Sequence, residues 1–236
     1  MKKILKFLFW AKNYLFPEYC ALCKNILIDV NEVKYGLCND CYRSILVVQG
    51  YKCELCGKPL ISEIKICLEC RDNNKRNYDR LWVIFPYTGK YQKLLTEYKF
   101  NKKIKLTNLF SEKIANLLET EPCLKDAVIV PVPPRPGKIK KTGWDQVEFL
   151  VKTLEKLTTQ KVYRCLKRRK SKVQKQLSRN QRMDNLTGRI YTHKKIPKIV
   201  LLIDDVITTG STINICASVL KKNGADKVYG LCLFYD

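Results

Sequence analysis

The sequence predicts an α/β protein in which a parallel sheet flanked by helices follows a small cysteine-rich domain that holds metal. Apolar runs typical of buried strands alternate with helical stretches over residues 80–236, and four Cys-x-x-Cys pairs precede residue 71. Strands that alternate with helices form a parallel sheet whose two faces are covered. A chain of 236 residues is long enough for one such core and a second, smaller unit.

Residues 1–17 are predicted to form an amphipathic helix, because apolar residues recur there at helical spacing. Lys6 and Lys12 interrupt the apolar stretch, which is far shorter than the ~20 residues that a membrane span needs. We therefore expect the helix to pack against the cysteine-rich domain. Peripheral contact with a membrane surface is the alternative, since aromatic residues widen the apolar face.

Residues 18–72 are predicted to form a double zinc ribbon with two structural zinc sites. Two thiolates on one turn can grip a tetrahedral Zn²⁺, and two such turns supply four ligands. Consecutive pairing gives one site from Cys20, Cys23, Cys38 and Cys41, and another from Cys53, Cys56, Cys67 and Cys70. The spacing also allows an interleaved pairing. Because the module is small and polar, we expect it to need metal to fold.

Disulfide bonds and redox-active pairs are the alternatives for these eight cysteines. No cleavable signal peptide is evident, and four redox motifs in so short a segment would be unusual, which favours zinc. The other cysteines stand singly and are predicted to be core residues: Cys123, Cys165, Cys216 and Cys232. The polar stretch at residues 71–80 is predicted to link the two domains.

The second domain, residues 80–236, is predicted to contain strands at 81–87, 127–133, 198–203 and 227–235. Helices are predicted at 90–100, 106–119, 144–157 and 211–223. Gly224 suits the cap of the last helix. This alternation supports the parallel sheet.

The most specific motif of the chain is VLLIDDVITTGST at residues 200–212. We expect Asp204 and Asp205 to emerge at the C-terminal edge of a buried strand, where open parallel sheets bind ligands. Gly210 allows a tight turn, and hydroxyls beside the free N–H groups of a helix start attract phosphate. These hydroxyls belong to Thr208, Thr209, Ser211 and Thr212. Since carboxylates suit ribose hydroxyls and a nearby Mg²⁺, the motif predicts a sugar-phosphate site.

Positive charge is clustered along the chain, whose formal net charge is +23. The clusters at residues 99–105, 138–141 and 161–182 favour single-stranded nucleic acid as a partner, because polycations gain affinity by releasing counterions. The candidate contacts are Lys99, Lys102, Lys103, Arg168, Arg169, Arg179 and Arg182. The alternative is that the lysine-rich composition only reflects the base composition of the source organism. Anionic lipid is a less favoured partner for these clusters.

Three aromatic residues near these clusters are candidates for stacking on bases: Phe100, Trp144 and Tyr163. His193, the only histidine, lies in a polar loop and is predicted to be a surface residue rather than a catalytic one. The alternative for Arg179 and Arg182 is a solvent-exposed helix face, although the planar guanidinium group of arginine also suits phosphate.

Residues 200–212 resemble the diphosphosugar-binding motif of type I phosphoribosyltransferases, and the whole chain resembles the ComF family of competence-associated, phosphoribosyltransferase-like proteins. The first matches to the family are Leu15, Phe16, Pro17, Cys20 and Cys23, then Tyr87, Gly89, Lys99 and Phe100. The later matches are the Val-Pro-Val-Pro strand at 130–133 and the pattern Gln174, Leu177, Ser178, Arg179, Arg182, Asn185 and Gly188. The family's Arg-Gly-Phe-Asn-Gln loop departs here to Thr142, Gly143, Trp144, Asp145 and Gln146.

The resemblance implies a cytoplasmic protein that handles single-stranded DNA during natural transformation. It implies that the site at 204–212 binds phosphoribosyl diphosphate, accompanied by Mg²⁺, or a nucleic-acid phosphate, with Arg135 near the pyrophosphate. The ribbons would supply a rigid, basic docking surface.

Two other functions stay open at the level of sequence. One is an active Mg²⁺-dependent phosphoribosyltransferase, although no acceptor pocket is recognisable. The other is an adaptor whose ribbons bind a helicase or another DNA-uptake protein. The sequence contains no signal that is specific to one protein partner.

Overall fold

The computed structural model describes Trp10 and residues 13–46, 50–61, 64–72, 76–170 and 188–236. Most of the helix predicted at 1–17 lies outside these residues. Residues 13–15 are helical, and Asn13 Nδ2 donates to the Leu27 carbonyl oxygen over 3.3 Å. In the part of the chain described here, no helix has the length and apolar character needed to cross a bilayer.

The larger part of the molecule is built on a four-stranded parallel sheet, which confirms the predicted fold class. Its strands are β3 (Arg80–Pro86), β4 (Val128–Pro131), β7 (Ile199–Ile207) and β8 (Lys227–Tyr235). They lie in the order β3-β8-β7-β4, and every neighbouring pair is parallel. The crossover helices place the ligand-binding edge at the carboxyl ends of the strands.

Helices cover both faces of this sheet. They are α4 (Gly89–Lys99), α5 (Leu106–Thr120), α7 (Gln146–Leu157) and α8 (Ser211–Lys222). Alternate residues of β7 enter different cores: Leu201 and Ile203 join the cluster that includes α4, α5 and α7, whereas Leu202 joins the cluster on the side of α8. A strand buried on both faces therefore reads as an unbroken apolar run.

Short elements complete this domain: a 3-10 turn (Pro122–Leu124), α6 (Lys138–Thr142), β5 (Lys167–Arg168) and β6 (Ile190–Tyr191). β5 pairs with β6 in antiparallel orientation.

The motif strand is longer than the sequence predicts, which corrects the expectation that both aspartates follow its end. β7 continues to Ile207, because β8 offers an equally long partner, with Asp204 opposite Cys232. β4, on the other side, ends at Pro131, opposite Ile203. The two carboxylates thus lie within the strand on one side and beyond the end of its neighbour on the other.

The cysteine-rich region contains α1 (Val30–Tyr35), α2 (Asn39–Leu46), the hairpin β1 (Tyr51–Lys52) and β2 (Pro59–Leu60), and α3 (Leu68–Asp72). We call residues 18–46 the first ribbon and residues 50–72 the second ribbon. Leu27, Leu37 and Ile45 of the first ribbon are fully buried in the same apolar cluster as α5 of the sheet domain. The first ribbon therefore shares its core with the sheet domain.

Ion pairs reinforce the contact of the first ribbon with α4 and α5. Lys24 Nζ lies 2.7 Å from Glu97 Oε1, and Lys34 Nζ lies 2.8 Å from Glu112 Oε1. The Tyr35 hydroxyl donates to Glu112 Oε2 over 2.8 Å. These contacts fix the orientation of the ribbon on the helices.

The second ribbon covers the open edge of the sheet at β3. The Leu81 N–H donates to the Leu55 carbonyl oxygen over 3.0 Å, and Lys52 Nζ donates to the carbonyl oxygen of Val83 over 2.7 Å. Gly57 has a φ of 68°, and a Cβ on it would lie 2.6 Å from Val83 Cγ2. The ribbon thus satisfies polar groups of a strand edge that would otherwise invite pairing with another chain.

The end of the predicted linker is packed against the sheet domain. The Asn77 N–H donates to Asn214 Oδ1 over 2.7 Å, and the Val228 N–H donates to Asp79 Oδ2 over 2.8 Å. Asp79 also pairs with Lys221 at 3.0 Å. Asn77 is thus held at the first turn of α8 and Asp79 at its last turn.

Candidate metal centres and phosphate site

The cysteines of the ribbons form two clusters, each with its sulfur atoms within 4.8 Å of one another. One contains Cys20, Cys23, Cys38 and Cys41, and the other contains Cys53, Cys56, Cys67 and Cys70. The pairing is therefore consecutive, which settles the alternative that the spacing left open. Neighbouring sulfurs in the clusters lie 3.2–3.8 Å apart, close to the ~3.8 Å expected around one tetrahedral zinc ion. Both sites fit structural zinc.

Backbone N–H groups prepare each cluster for a cation. Burial opposes ionisation of the Cys53 thiol, but N–H groups of Cys67 and Cys56 outweigh it and lower the pKa of Cys53 to about 6. In the same way, N–H groups of Cys23 and Cys38 outweigh burial and lower the pKa of Cys20 to about 7. Each site thus contains a thiol that ionises readily near neutral pH, as a zinc ligand must.

The predicted phosphate loop lies between β7 and α8. Gly210 has a φ of 71°, in the left-handed region, and its carbonyl oxygen accepts the Asn214 N–H over 2.9 Å. The Thr209 and Ser211 hydroxyls are 2.8 Å apart, and Thr208 and Thr209 are exposed. The N–H groups of the first turn of α8, which starts at Ser211, and the hydroxyls of the loop together offer donors to an anion.

The acidic pair of the motif is tied to a lysine from α4. Lys99 Nζ lies 2.9 Å from Asp205 Oδ2, and Gln146 Nε2 donates to the same oxygen. The Asp205 N–H donates to Asp204 Oδ1 over 2.9 Å. Asp205 is buried, whereas Asp204 is partly accessible. The sequence assigned Lys99 to nucleic-acid binding, but the structure places it on the acidic pair.

The two carboxyl groups titrate in opposite directions. Burial, and then the negative charge of Asp205, raise the pKa of Asp204 well above its ordinary value. Burial also opposes ionisation of Asp205, but the Lys99 ammonium and the Gln146 amide outweigh it and lower its pKa. The Lys99 ammonium group therefore stabilises the ionised form of Asp205, whereas the position of Asp204 beside that charge disfavours its own ionisation.

The predicted Mg²⁺ is not supported by these contacts. Lys99 and Gln146 already occupy Asp205 Oδ2, and a divalent ion there would have to displace the ammonium group. Among the described residues, no third carboxylate joins the pair within ligand distance. Since Mg²⁺ demands a near-octahedral set of oxygen ligands, the residues present do not fit a metal ion bound by the protein.

The loop at residues 142–146, which departs from the family pattern, supplies the Gln146 side chain that contacts Asp205. Asp145 Oδ1 accepts the Glu148 N–H over 2.9 Å and caps α7, while Asp145 Oδ2 lies 2.6 Å from Lys138 Nζ. Lys138 Nζ also donates to Gln146 Oε1. Because an ammonium group can only donate, this bond turns the Gln146 amide so that Nε2 faces Asp205. The acidic residue at position 145 thus holds Lys138 in place.

Three arginines come from β5, the turn before β6 and the loop after β4, and one of them, Arg168, lies within electrostatic range of Asp204. Burial and the nearby charge of Arg135 lower the pKa of Arg168, while the charge of Asp204 raises it. Arg189 also lies near enough to lower the pKa of Arg168. We call Arg135, Arg168 and Arg189 the arginine group. Arg135, predicted to lie near the pyrophosphate, is within electrostatic range of Arg168.

A cavity of about 560 Å³ separates the phosphate loop from the second ribbon. Its lining includes Thr208–Gly210, together with Arg76 and Lys58. Cys56 also lines it, so the cavity extends from one metal cluster to the phosphate loop.

The other predicted nucleic-acid contacts are dispersed. Lys102 and Arg169 are exposed, and the Arg169 guanidinium stacks 4.7 Å from the centre of the Tyr191 ring. Lys103 is partly exposed after α4. Arg179 and Arg182, with most of the Gln174–Gly188 pattern, lie outside the described residues.

The structure corrects one predicted stacking residue. Trp144 is buried, because its ring packs edge-on against Tyr98 at 5.3 Å and against Phe149 at 5.6 Å. Phe100 is exposed, and Tyr163 is half-buried beneath Lys194. Only these two remain accessible to a base.

The predictions for the isolated residues agree with the structure. His193 is exposed. Cys165, Cys216 and Cys232 are buried, Cys123 is partly buried, and none of the four belongs to a metal cluster.

The ribbons do not form the basic surface that the sequence analysis expected. Residues 18–72 contain seven basic and eight acidic residues, so the positive charge resides elsewhere in the chain. Several of these lysines and acids also pair with one another or with the sheet domain, as Lys58 does with Glu69. The positive charges that could bind a polyanion therefore lie mainly on the sheet domain.

Sequence reasoning missed Lys138 and Gln146 as site residues. Both lie outside the motif at 200–212: Gln146 contacts Asp205, and Lys138 contacts Gln146, because α6 and α7 follow the exit of β4. The one available signal was the altered loop itself, where the acidic Asp145 precedes Gln146, a glutamine that the family pattern also has.

Comparisons with known proteins support the same organisation. The model of the double zinc ribbon domain matches residues 11–71. Competence protein ComFC of Bacillus subtilis strain 168 is 24% identical over 196 residues, which cover 80% of this chain and 79% of that protein. Competence protein F of Haemophilus influenzae is 26% identical over 223 residues, or 90% of this chain and 95% of that protein.

A third relative is the DNA utilization protein YhgH of Escherichia coli K12. It is 25% identical over 224 residues, which cover 92% of this chain and 96% of that protein. These matches extend over both the ribbons and the sheet domain. They confirm the resemblance of the chain to the ComF family of competence proteins, with a double zinc ribbon at its N-terminal end.

Proposed function

We propose that this protein binds a sugar phosphate at Thr208–Thr212 and handles single-stranded DNA during natural transformation. The names of the relatives, competence protein and DNA utilization protein, support a role in DNA uptake. Handling the strand after its entry would place the protein in the cytoplasm.

One observation carries the proposal: the phosphate loop directly follows the strand that holds the acidic pair, so both lie at the carboxyl end of β7. Arg168 lies within electrostatic reach of Arg135, Arg189 and Asp204. Cations and carboxylates so close together suit a ligand that carries both phosphate and hydroxyl groups.

Each group has a distinct task in this proposal. The N–H and hydroxyl donors at 208–212 bind a terminal phosphate, and Asp204 and Asp205 accept hydrogen bonds from ribose hydroxyls. The arginine group binds a second phosphate, which belongs either to phosphoribosyl diphosphate or to a nucleic-acid chain. Lys102, Lys103 and Arg169 add charge for the rest of the strand, and Phe100 offers an exposed ring for stacking.

Binding of a fluorescent single-stranded dT oligonucleotide, measured by anisotropy over a series of salt concentrations, tests the DNA part. We expect Arg168→Gln to weaken binding and to reduce the salt slope by about 1, as loss of one phosphate contact does. Lys198→Gln is the matched control, because Lys198 pairs with Asp226 just before β7, at the opposite end of the sheet.

Addition of phosphoribosyl diphosphate to the same complex tests the shared site. Displacement of the oligonucleotide from the wild type, but less readily from Arg168→Gln, supports one site for both ligands. Absence of oligonucleotide binding at low salt contradicts the proposal.

A further inference from the structure

The acidic pair has an internal partner that its motif does not reveal. Lys99 is the last residue of α4, and its ammonium group lies 2.9 Å from Asp205 Oδ2. The side chain of Asp205 is 11% exposed and that of Lys99 is 31% exposed, so the pair is sheltered from bulk water. A charge-assisted contact in such a place is stronger and less sensitive to salt than one on the surface.

The surroundings hold both side chains of this contact in position. Gln146 Nε2 donates to Asp205, and the Gln146 amide is oriented by Lys138. Tyr98, the neighbour of Lys99 in α4, is fully buried, and its hydroxyl donates to the Gln146 carbonyl oxygen over 2.8 Å. The end of α4 and the start of α7 are therefore locked together around Asp205.

We propose that Lys99 is the resident counter-ion of the acidic pair, so that the pair binds the hydroxyls of a sugar phosphate without a divalent cation. This inference rests on the proposed function and specifies its ligand. The ligand would be a sugar phosphate whose phosphate is held by the protein's own N–H groups and arginines, rather than through a chelated metal ion.

The charge of the site supports this assignment. Two adjacent carboxylates with no cation would repel an incoming phosphate and would invite a divalent ion. With Lys99 in contact, Asp205 is neutralised, yet its second oxygen and the Asp204 carboxyl group remain acceptors for hydroxyl donors. Lys99 is thus a positioning residue for the ligand, not a reacting group.

A titration with Mn²⁺ followed by electron paramagnetic resonance tests the assignment without any sugar ligand. In the zinc-loaded wild type, we expect Mn²⁺ to remain free in solution. Lys99→Met keeps the apolar stem and removes the charge, so this variant should bind Mn²⁺, and adding Asp205→Asn to it should abolish that binding. Lys93→Met is the matched control, because Lys93 is exposed on the same helix and should leave Mn²⁺ free.

Calorimetry with ribose 5-phosphate then tests the consequence for the ligand. The buffer is cleared of divalent ions with a resin, because a soluble chelator would strip zinc. The wild type should bind equally well with and without Mg²⁺. Lys99→Met should bind about tenfold more weakly without Mg²⁺, the loss expected for one charge-assisted contact, and Mg²⁺ should restore part of that loss.

The outcomes separate the inference from the proposed function. Mn²⁺ binding by the wild type that Asp205→Asn removes would overturn the role of Lys99, even if ribose 5-phosphate binds. Failure of ribose 5-phosphate to bind the wild type would instead contradict the proposed ligand, while the Mn²⁺ titration still decides the counter-ion. Lys99→Arg, which keeps the charge, should behave as the wild type does in the Mn²⁺ titration.

Discussion

The two ribbons hold the same number of cysteines but are attached to the sheet domain in different ways. Leu27, Leu37 and Ile45 of the first ribbon extend the apolar core of the sheet domain. In the second ribbon, the buried cluster consists of the four cysteines alone, with Leu55, Leu60 and Ile66 only partly buried against them. Hydrophobic burial therefore stabilises the first ribbon together with the domain, whereas the second depends on its metal ion.

The two ribbons also contact different parts of the sheet domain. The first ribbon contacts α4 and α5 through side-chain ion pairs, and none of its residues lines the cavity at Thr208–Gly210. The second ribbon pairs with the backbone of β3 and forms one wall of the cavity at Thr208–Gly210. Loss of structure in the second ribbon should therefore disturb the ligand site more than the same loss in the first.

Removal of one zinc ligand from each ribbon should have the largest effect and should show the difference most clearly. Cys67→Ser should unfold the second ribbon, since structural zinc supplies on the order of 10 kcal/mol to such small modules. Cys38→Ser should leave the first ribbon partly protected by its apolar contacts. Hydrogen exchange of residues 20–45 and 50–72, with metal analysis of both variants, measures this. Equal loss of protection in the two ribbons would contradict the comparison.

Replacement of one leucine in each ribbon by alanine should have the second-largest effect on stability. Leu37 is 1% exposed in the shared core, so Leu37→Ala should lower the free energy of unfolding of the whole protein by about 2–5 kcal/mol. Leu60 is only partly buried against the cysteines of the second ribbon, and Leu60→Ala should cost much less. Denaturant unfolding monitored by tryptophan fluorescence checks both values. A larger effect of Leu60→Ala would show that the second ribbon, not the first, shares the core.

Alanine substitutions at two glycines test the close contact of the second ribbon with β3. Gly57 and Gly50 both have positive φ angles, 68° and 106°, but only a Cβ at Gly57 would meet other atoms within 4 Å. Both substitutions strain the backbone, and Gly57→Ala should cost about 1–3 kcal/mol more than Gly50→Ala because Val83 must move. Thermal unfolding of the two variants gives the comparison. Equal losses of stability in the two variants would mean that Gly57 is not in close contact with Val83 of β3.

A smaller effect is expected from Glu97, the residue of α4 that forms an ion pair with Lys24 of the first ribbon. Burial opposes ionisation of Glu97, but Lys24 outweighs it and lowers the pKa of Glu97 below its ordinary value of 4.5. The ionised form therefore stabilises the folded state at neutral pH, and this contribution disappears as the pH falls through the lowered pKa. Glu97→Gln should reduce stability near neutral pH and converge with the wild type in acid.

The control for that series is Glu69→Gln in the second ribbon, where the exposed carboxylate lies 3.7 Å from Lys58. Surface pairs of this kind contribute little, so its stability should follow the wild type at every pH. Denaturation midpoints from neutral to acidic pH measure both variants. A constant gap between Glu97→Gln and the wild type would rule out titration of Glu97 as the cause.

The sequence was sufficient to predict the features that depend on local spacing. Cysteines two residues apart predicted the metal sites, and apolar runs such as that of β8 predicted the strands of the sheet, because both signals repeat within a few residues. Residues 200–212 predicted the loop after β7 for the same reason. These features needed no information about distant parts of the chain.

Contacts between distant segments could not be predicted in this way. The extension of β7 to Ile207 depends on the length of β8, and the burial of Trp144 depends on Tyr98. Lys99 lies more than a hundred residues before Asp205, and nothing in its local sequence distinguishes a counter-ion from a surface lysine. The site's charge balance is therefore a property of the fold.

We propose that the loop at 208–212 and the acidic pair together form a sugar-phosphate site. Calorimetric titration of phosphoribosyl diphosphate into the zinc-loaded wild type, into the double variant Asp204→Ala/Asp205→Ala and into the control Lys198→Gln tests it most directly. We expect the wild type and Lys198→Gln to bind one equivalent, and the double variant to lose most of the affinity. Absence of heat with the wild type, or unchanged affinity in the double variant, would contradict it.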